Sequence, residues 1–336
     1  MKIESYEFRG RLQTAVLFII FNRPETTARV FDMIRRMRPP RLYVAADGPR
    51  KGRIGESELT IAARNIATNV DWECELKLKL RPDNLGCRMG VSQAISWFFE
   101  TELQGIILED DCLPDESFFW FCESLLQRYA YDTRVFAING TNFQEGHIRG
   151  QGSYYFSKYP HIWGWATWRR VWNLYDVEMR FWDCWKASKS WKNYFNDSVI
   201  RRYWTVHFDS IRNGEIDTWD YQFVASTLFH NGLVATPNIN LVTNIGFGDN
   251  ATHTTQKNSR YANRKSYCMS SLTHPDVVQA DDCADLFDFN NLFGGYRRRG
   301  VRGVFFRMKS LIARVARFLK GFVGSTSHVV NRIRRR

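Results

Sequence analysis

Residues Ala15–Phe21 (AVLFIIF) form an unbroken apolar run. A strand with one wet face alternates apolar and polar residues. A run with no alternation is what a strand buried on both faces of a parallel sheet requires. Such a strand needs helices on both sides, and the following residues supply them. The run ends in Asn22-Arg23-Pro24-Glu25, where Pro24 suits the first turn of a helix and Glu25 suits its positive end. Val30, Phe31, Ile34 and Met37 then mark one helical face, which Pro39-Pro40 stops. Leu42–Ala46 reads as a second strand ending in Asp47-Gly48-Pro49, and Cys74–Leu80 as a third. Asp83-Asn84-Leu85-Gly86 opens a helix with Val91, Ala94, Ile95, Phe98 and Phe99 on its apolar face. Gly105–Leu108 is a fourth strand that runs into Glu109-Asp110-Asp111. A helix capped by Asp115 follows, carrying Phe118, Cys122, Leu125 and Tyr129. This repetition predicts an α/β protein with a Rossmann-like, mostly parallel central sheet flanked by helices.

The rhythm changes after Ala137–Asn139. Residues 153–250 are rich in Trp, Tyr and Asn and weakly periodic, and residues 250–295 are polar and read as loop-rich. The expected organisation is one domain over 1–295, with a nucleotide-binding half (1–140) and an acceptor-side half (141–295), followed by a separate tail, 296–336.

The net charge is +12, which raises the possibility of a nucleic-acid partner. Residues 296–336 hold 13 Lys/Arg and no Asp/Glu; subtracting 13 from 12 leaves the first 295 residues at −1. The basicity therefore belongs to the tail, and a neutral body argues against nucleic acid. In the tail, Val301, Val304, Phe305, Met308, Ile312, Val315 and Leu319 recur at helical spacing, with Arg302, Lys309, Arg317 and Lys320 opposite. A basic amphipathic C-terminal helix of this kind suits an anionic membrane surface, contacted through residues 297–336. A helix packed on the body is the other reading. No apolar run approaches the roughly 20 residues that span a bilayer, and the N-terminus lacks the apolar stretch of a secretory signal. The seven Cys include no CxxC pair and read as reduced thiols. The expected location is cytoplasmic, peripheral to the inner face of the cell membrane.

In open α/β sheets, ligands sit beyond the carboxyl ends of the strands. Asn22-Arg23, Asp47 and Glu109-Asp110-Asp111 all fall there. Adjacent carboxylates repel one another unless a cation or hydroxyl groups engage them, and a hard divalent ion bridging phosphate oxygens is the natural candidate. A solvated acidic turn is the plain alternative.

The order of strand–Asn-Arg-Pro, strand–Ala-Asp-Gly, Asp-Asn-Leu-Gly with its helix, and strand–Glu-Asp-Asp resembles the GT-A glycosyltransferases. It is most like the N-acetylglucosaminyltransferase I type and bacterial family-2-like relatives, over residues 14–255. The resemblance implies a GT-A (nucleotide-diphospho-sugar transferase) fold and a metal-dependent, inverting transfer of a sugar from a UDP-sugar to a glycan or lipid-linked acceptor. By it, Glu109-Asp110-Asp111 matches the DXD-type motif. Asp111 would bind Mn2+ (or Mg2+), and Glu109 and Asp110 would hold ribose or metal-bound water. Arg23 would contact the nucleotide and Asp47 would read the uracil edge. Asn84, Gly86 and Arg88 would belong to a loop closing over the donor. In Asp217-Thr218-Trp219-Asp220-Tyr221, Asp220 matches the catalytic base, with Asp217 as runner-up. The segment Thr243–Gly248 resembles a glycine-containing loop that folds over the donor, and His253 beyond it would reach the diphosphate or the metal.

Sugars offer apolar faces to aromatic rings. Within His161–Trp168, Trp163 or Trp165 is expected to face the donor or acceptor, as is Trp219, while Trp168 and Trp172 are expected to be buried. Two other readings stay open. A sugar-nucleotidyltransferase would normally carry a glycine-rich basic loop after its first strand, where Phe21-Asn22-Arg23-Pro24 stands. A non-catalytic carbohydrate-binding protein would leave the strand-end acids unexplained.

Overall fold

The computed structural model describes residues 3–5, 11–247 and 261–299. After a short β1 (Ile3–Ser5), the apolar run forms β2 (Val16–Ile20), followed by α1 (Pro24–Met37), β3 (Arg41–Ala46), α2 (Glu56–Thr68), β4 (Glu75–Leu80), α3 (Gly86–Thr101) and β5 (Gln104–Glu109). All but β1 and α2 were legible. The Asp115 side chain caps α4 (Glu116–Arg128) by accepting from the Ser117 N–H, as its position before the apolar face requires. Between β5 and α4 lies β6 (Cys112–Pro114), and β7 (Val135–Asn139) follows α4.

The second half adds β8 (Tyr154–Ser157), β9 (Trp165–Trp168), helices α5 (Arg169–Trp172), α6 (Trp182–Ala187), α7 (Lys189–Tyr194), α8 (Ser198–Arg212) and α9 (Asp220–Phe229), then β10 (Leu233–Pro237) and β11 (Val242–Asn244). Next come β12 (Ser271–Thr273), α10 (Asp282–Asn291) and α11 (Gly295–Arg298). Residues 261–295 are thus not simply loops.

Eight strands form one sheet in the order β4-β3-β2-β5-β9-β7-β10-β8. The block β4-β3-β2-β5 is wholly parallel, and β7–β10 is parallel as well. β9 runs antiparallel between β5 and β7, and β8 is an antiparallel edge. This is the mixed α/β architecture the βα rhythm predicts, with a mostly parallel centre and helical flanks. The inserted β9 carries strands from both halves of the chain into one sheet. Two-stranded sheets β1–β12 and β6–β11 complete the pairing.

The main core surrounds the sheet and includes Trp168 and Trp172, as expected of them. A second aromatic core, centred on Trp182, Trp191, Trp204 and Phe208, ties α6–α8 to α9 and α10. Its aromatic rings meet mostly edge-on or tilted, the geometry that ring quadrupoles favour. No helix among the described residues is long and apolar enough to cross a membrane. The tail beyond Arg299 lies outside the described residues.

α10 was illegible because part of its inner face is polar. Buried Asp288 accepts from Gln144 Nε2 (2.6 Å) and faces His161 Nε2 at 3.3 Å. Buried Asp285 accepts from Ser157 Oγ at 2.6 Å and from the Lys158 N–H. Burial pushes the Asp285 carboxyl up to about 7, from an ordinary value of roughly 3.9. The native state therefore keeps a proton that the unfolded chain releases, so this group's contribution to stability falls as pH rises from about 4 to about 7 and is flat above. Asp285→Asn should flatten that slope, which is at most about 1.4 kcal/mol per pH unit. Denaturant unfolding followed at several pH values checks this.

Candidate functional site

A cleft of about 520 Å³ opens at the carboxyl ends of β2, β3 and β5, where an open α/β sheet accepts ligands. It is lined by Arg23, Asp47, Asn84, Gly86, Glu109, Asp110, Asp111, Trp163, Asp217, Trp219 and Asp220. Eleven of the residues singled out from sequence thus share one cavity. His253 lies outside the described residues.

The acids after β5 are held by the neighbouring strands. Asp110 Oδ2 accepts from the Phe21 N–H at 2.8 Å, where β2 ends. Arg23 Nη1 stands 2.6 Å from Asp111 Oδ2 and 3.8 Å from Asp110 Oδ1. The Asp111 carbonyl accepts from the Ile245 N–H at 2.8 Å, and β6 pairs with β11 just beyond it. Three carboxyls therefore face one guanidinium in a site largely withdrawn from water. Burial, reinforced by Asp111, raises Asp110 to about 7. Burial, with the neighbouring Asp111, Asp110 and Asp220 carboxylates, pushes the Glu109 carboxyl well above its ordinary value. Its Oε1 is buried without a hydrogen-bond partner among the described residues.

These residues fit a divalent cation in a particular way. No three His, Cys, Asp or Glu among the described residues converge as a ready-made cage. The excess of buried carboxyl over guanidinium and the orphaned Glu109 oxygen nevertheless leave the site short of positive charge and donors. Hard cations can be held by one or two carboxylates when phosphate oxygens and water complete the shell. Asp110 and Asp111 are the residues that suit this.

The N-terminus of α3 forms the opposite lip. Asp47 Oδ2 accepts from the Leu85 N–H (2.8 Å) and the Gly86 N–H (3.2 Å), while the two Asp217 oxygens accept from the Cys87 and Arg88 N–H groups at 3.2 Å each. Two carboxylates from different parts of the chain thus satisfy the orphan amides of one helix end. Gly86 has φ +79°, and a Cβ there would stand 2.8 Å from Asp217 Oδ2, so the close approach needs glycine. The other oxygen of Asp47, Oδ1, is buried without a partner among the described residues. Burial raises the Asp47 carboxyl against the opposing pull of those backbone amides.

Several expectations are corrected. Arg88 is on α3, not on a loop, and its guanidinium donates to the Val177 carbonyl and Glu178 Oε1, both at 2.8 Å, turned away from the cleft. Trp165 is only 1% exposed and stacks on Trp219, with ring centroids 5.7 Å apart; β9 is an interior strand, so its side chains enter the core. Trp163, one turn earlier in the chain, does line the cleft and is braced edge-on by Phe143 and Phe247. Trp219 lines the cleft from a buried position beneath it. Asp217 is occupied as a helix cap. Asp220 opens α9 and accepts from Thr218 Oγ1.

Sequence reasoning missed Arg50, Arg81 and Cys87, which also line the cleft, as do Tyr221 and Asn244 from within the segments Asp217–Tyr221 and Thr243–Gly248. Arg50 directly follows the Asp47-Gly48-Pro49 turn, but nothing in its own pattern separates it from surface residues.

No protein-family model matches the chain, and no curated protein matches it. Among solved structures it is similar to a UDP-glucose pyrophosphorylase complexed with UDP-glucose (10% identity, TM-score 0.36, covering 67% of this chain and 90% of that one). It is also similar to HddC from Yersinia pseudotuberculosis (9%, 0.29, 47% and 78%) and to a UTP-bound UGPase from Acinetobacter baumannii (6%, 0.32, 67% and 86%).

The segment after β11 packs directly on the acids, and a Cβ at Gly246 would run into Asp111 Oδ2. Gly246→Ala should therefore displace Asp111 and cost about 1–3 kcal/mol, as small-to-large changes in packed sites do. Thermal unfolding measures the loss. A Tm unchanged from wild type would mean that this contact is not tight.

Proposed function

We propose that the protein is an enzyme acting on a nucleotide sugar, and that the reaction is transfer of the sugar from a UDP-sugar to an acceptor hydroxyl. The observation that carries this reading is the meeting of Arg23, Asp47, Asp111 and Asp220 in one cleft at the strand ends. Asp47 Oδ1, buried with no partner among the described residues, suits a nucleobase N–H. Glu109, whose buried Oε1 likewise has no partner among them, suits a hydroxyl of the ribose or sugar. Arg23 suits the diphosphate. A divalent cation held by Asp110 and Asp111 would supply charge neutralisation for a departing diphosphate. Asp220 is positioned as the base: the acceptor O–H proton passes to its carboxylate as the acceptor oxygen bonds to the anomeric carbon. The bond from that carbon to the diphosphate oxygen breaks, and its electron pair leaves with the diphosphate, inverting the centre. The resemblance to inverting GT-A enzymes supports the same outcome.

The second reading is nucleotidyl transfer, the reaction class of a pyrophosphorylase such as the UDP-glucose pyrophosphorylase to which the chain is similar. Both readings place a nucleoside diphosphate sugar in this cleft. They part on the co-substrate. Pyrophosphorolysis needs pyrophosphate and yields UTP, whereas transfer needs an acceptor hydroxyl and yields UDP. The acids around Asp220, opposite the guanidiniums, favour a hydroxyl there over pyrophosphate.

For the tail, residues 297–336, we propose contact with an anionic membrane surface, its cations each adding about 1 kcal/mol near the headgroups.

Incubation with a panel of UDP-sugars and Mn2+ should release UDP without UTP formation when pyrophosphate is added. Asp111→Ala should abolish the release. Asp220→Asn should lower turnover by about 10²–10⁴-fold while UDP still raises the Tm, because a ligand of the folded state stabilises it. UTP formation as the main product would establish the second reading instead. Separately, truncation before Gly300 should abolish sedimentation with phosphatidylserine vesicles and leave UDP release intact.

A further inference from the structure

β4 is one edge of the eight-stranded sheet and pairs only with β3 among the described residues. The Glu75 N–H donates to the Pro40 carbonyl and the Arg81 N–H to the Ala46 carbonyl, both at 2.9 Å. Alternate residues of a strand turn their backbone groups to the same side, so residues 75, 77, 79 and 81 bond to β3. The N–H and C=O groups of Leu76, Leu78 and Leu80 then point out from the open edge, with no strand beside them among the described residues. An edge of this kind is a template for another strand.

The two faces of β4 differ. Leu76, Leu78 and Leu80 share the face that carries Leu42 and Val44 of β3, and Leu78 and Leu80 are 48% and 39% exposed. Arg64 Nη2 donates to the Arg81 carbonyl at 2.6 Å, which sets that side of α2 over the end of β4. Ile61, one turn earlier on the same side, is 54% exposed and extends the apolar strip. Glu75, Lys77 and Lys79 occupy the opposite face, on the side of α3. Lysines at an edge usually deter pairing. Here Lys77 Nζ donates to the Tyr43 hydroxyl at 3.0 Å, and Lys79 Nζ stands 5.6 Å from the centroid of the Trp97 ring. Both ammoniums are drawn back over their own sheet, which leaves the outward amides and the leucines uncovered by them.

Antiparallel pairing of β4 with a second β4 sets residues of one face opposite residues of the same face. Two registers overlap the most strand: one centred on Lys77, which pairs 75–79, and one centred on Leu78, which pairs 76–80. The register on Leu78 sets Lys77 against Lys79 twice. The register on Lys77 sets Glu75 against Lys79 at both ends and Leu76 against Leu78 on the other face. Its one like-charge contact is Lys77 against Lys77, and each of these lies 3.2 Å from its own Glu75. Opposite charges and apolar side chains placed directly across strands stabilise a sheet, and like charges oppose it.

We propose that the β4 edge is the interface for a second copy of this chain, paired antiparallel about a two-fold axis at Lys77, so that two eight-stranded sheets join into one. The inference is independent of what the cleft binds.

The test is sedimentation velocity of the full chain under reducing conditions, with thermal unfolding as the check that each variant is folded. The wild type should be dimeric at tens of micromolar. Glu75→Lys and Lys79→Glu should each weaken the dimer about tenfold, because each sets like charges opposite one another at both ends. The combined Glu75→Lys/Lys79→Glu exchange should restore it. Leu78→Pro should abolish it by removing an outward N–H while the bonds to β3 remain. Under oxidation by copper phenanthroline, Lys77→Cys should give a reducible covalent dimer that the wild type, with its native thiols, does not. The paired Cα atoms at that position stand about 4.5 Å apart, within the reach of a disulfide. Leu78→Cys, which faces Leu76, should not cross-link. A monomeric wild type, a dimer indifferent to Leu78→Pro, or a double exchange that fails to recover what the single ones lose overturns the proposal. Cross-linking through Leu78→Cys in place of Lys77→Cys does so too.

Discussion

The arrangement at the end of β5 is costly, and the rest of the cleft is organised around it. Three consecutive acids are withdrawn from water, where ionised carboxylates lose solvation that only partners can replace. The protein's response is distributed over the fold. The Phe21 amide at the end of β2 holds Asp110, the Arg23 guanidinium one step into the next turn holds Asp111, and burial pushes the Glu109 carboxyl upward. The crowding of acids, and a buried Glu109 oxygen with no donor among the described residues, are what the proposed ligand would relieve. Perturbed carboxyls grouped in a cleft are the usual mark of such places.

The second organising contact is the N-terminus of α3. Asp47 comes from the end of β3 and Asp217 from the loop before α9, and both terminate on the same helix amides. The lip carrying Asp47 and the segment carrying Asp220 are therefore referenced to one rigid element. Under the proposed function such a shared support would matter, since small displacements of reacting groups cost large factors in rate. Gly86 makes the junction possible by removing the Cβ that would collide with Asp217. The aromatic core of α6–α8 supports the same loop from the other side, through α9.

Legibility followed the strength of each local signal. The strands β2–β5 and helices α1, α3 and α4 were readable because burial on both faces, or on one helical stripe, leaves a periodic trace. α2 escaped because its inner face is mostly small or polar, with Thr60, Ala63 and Ala67 among its buried residues. α10 escaped because Asp285 and Asp288 are buried there by hydrogen bonds to distant Ser157 and Gln144. The same limit governs the site. Asp111 and Asp47 were visible as polar residues ending buried strands. Trp163 and Trp165 were indistinguishable, since only the pairing of β9 inside the sheet decides which ring faces the cleft and which enters the core. Arg88 looked like a donor ligand until its partners, Val177 and Glu178, were known.

Local order in the chain thus settled the parallel βα framework and the identity of the residues at its strand ends, because both follow from apolar periodicity and the rule that ligands sit at carboxyl edges. Tertiary structure alone decided which of those residues meet. It set Arg23 against Asp111, brought Asp217 across to α3 and buried Trp165. These are relations between segments far apart in sequence, fixed by packing and hydrogen bonding across the fold, and no local pattern carries a record of them.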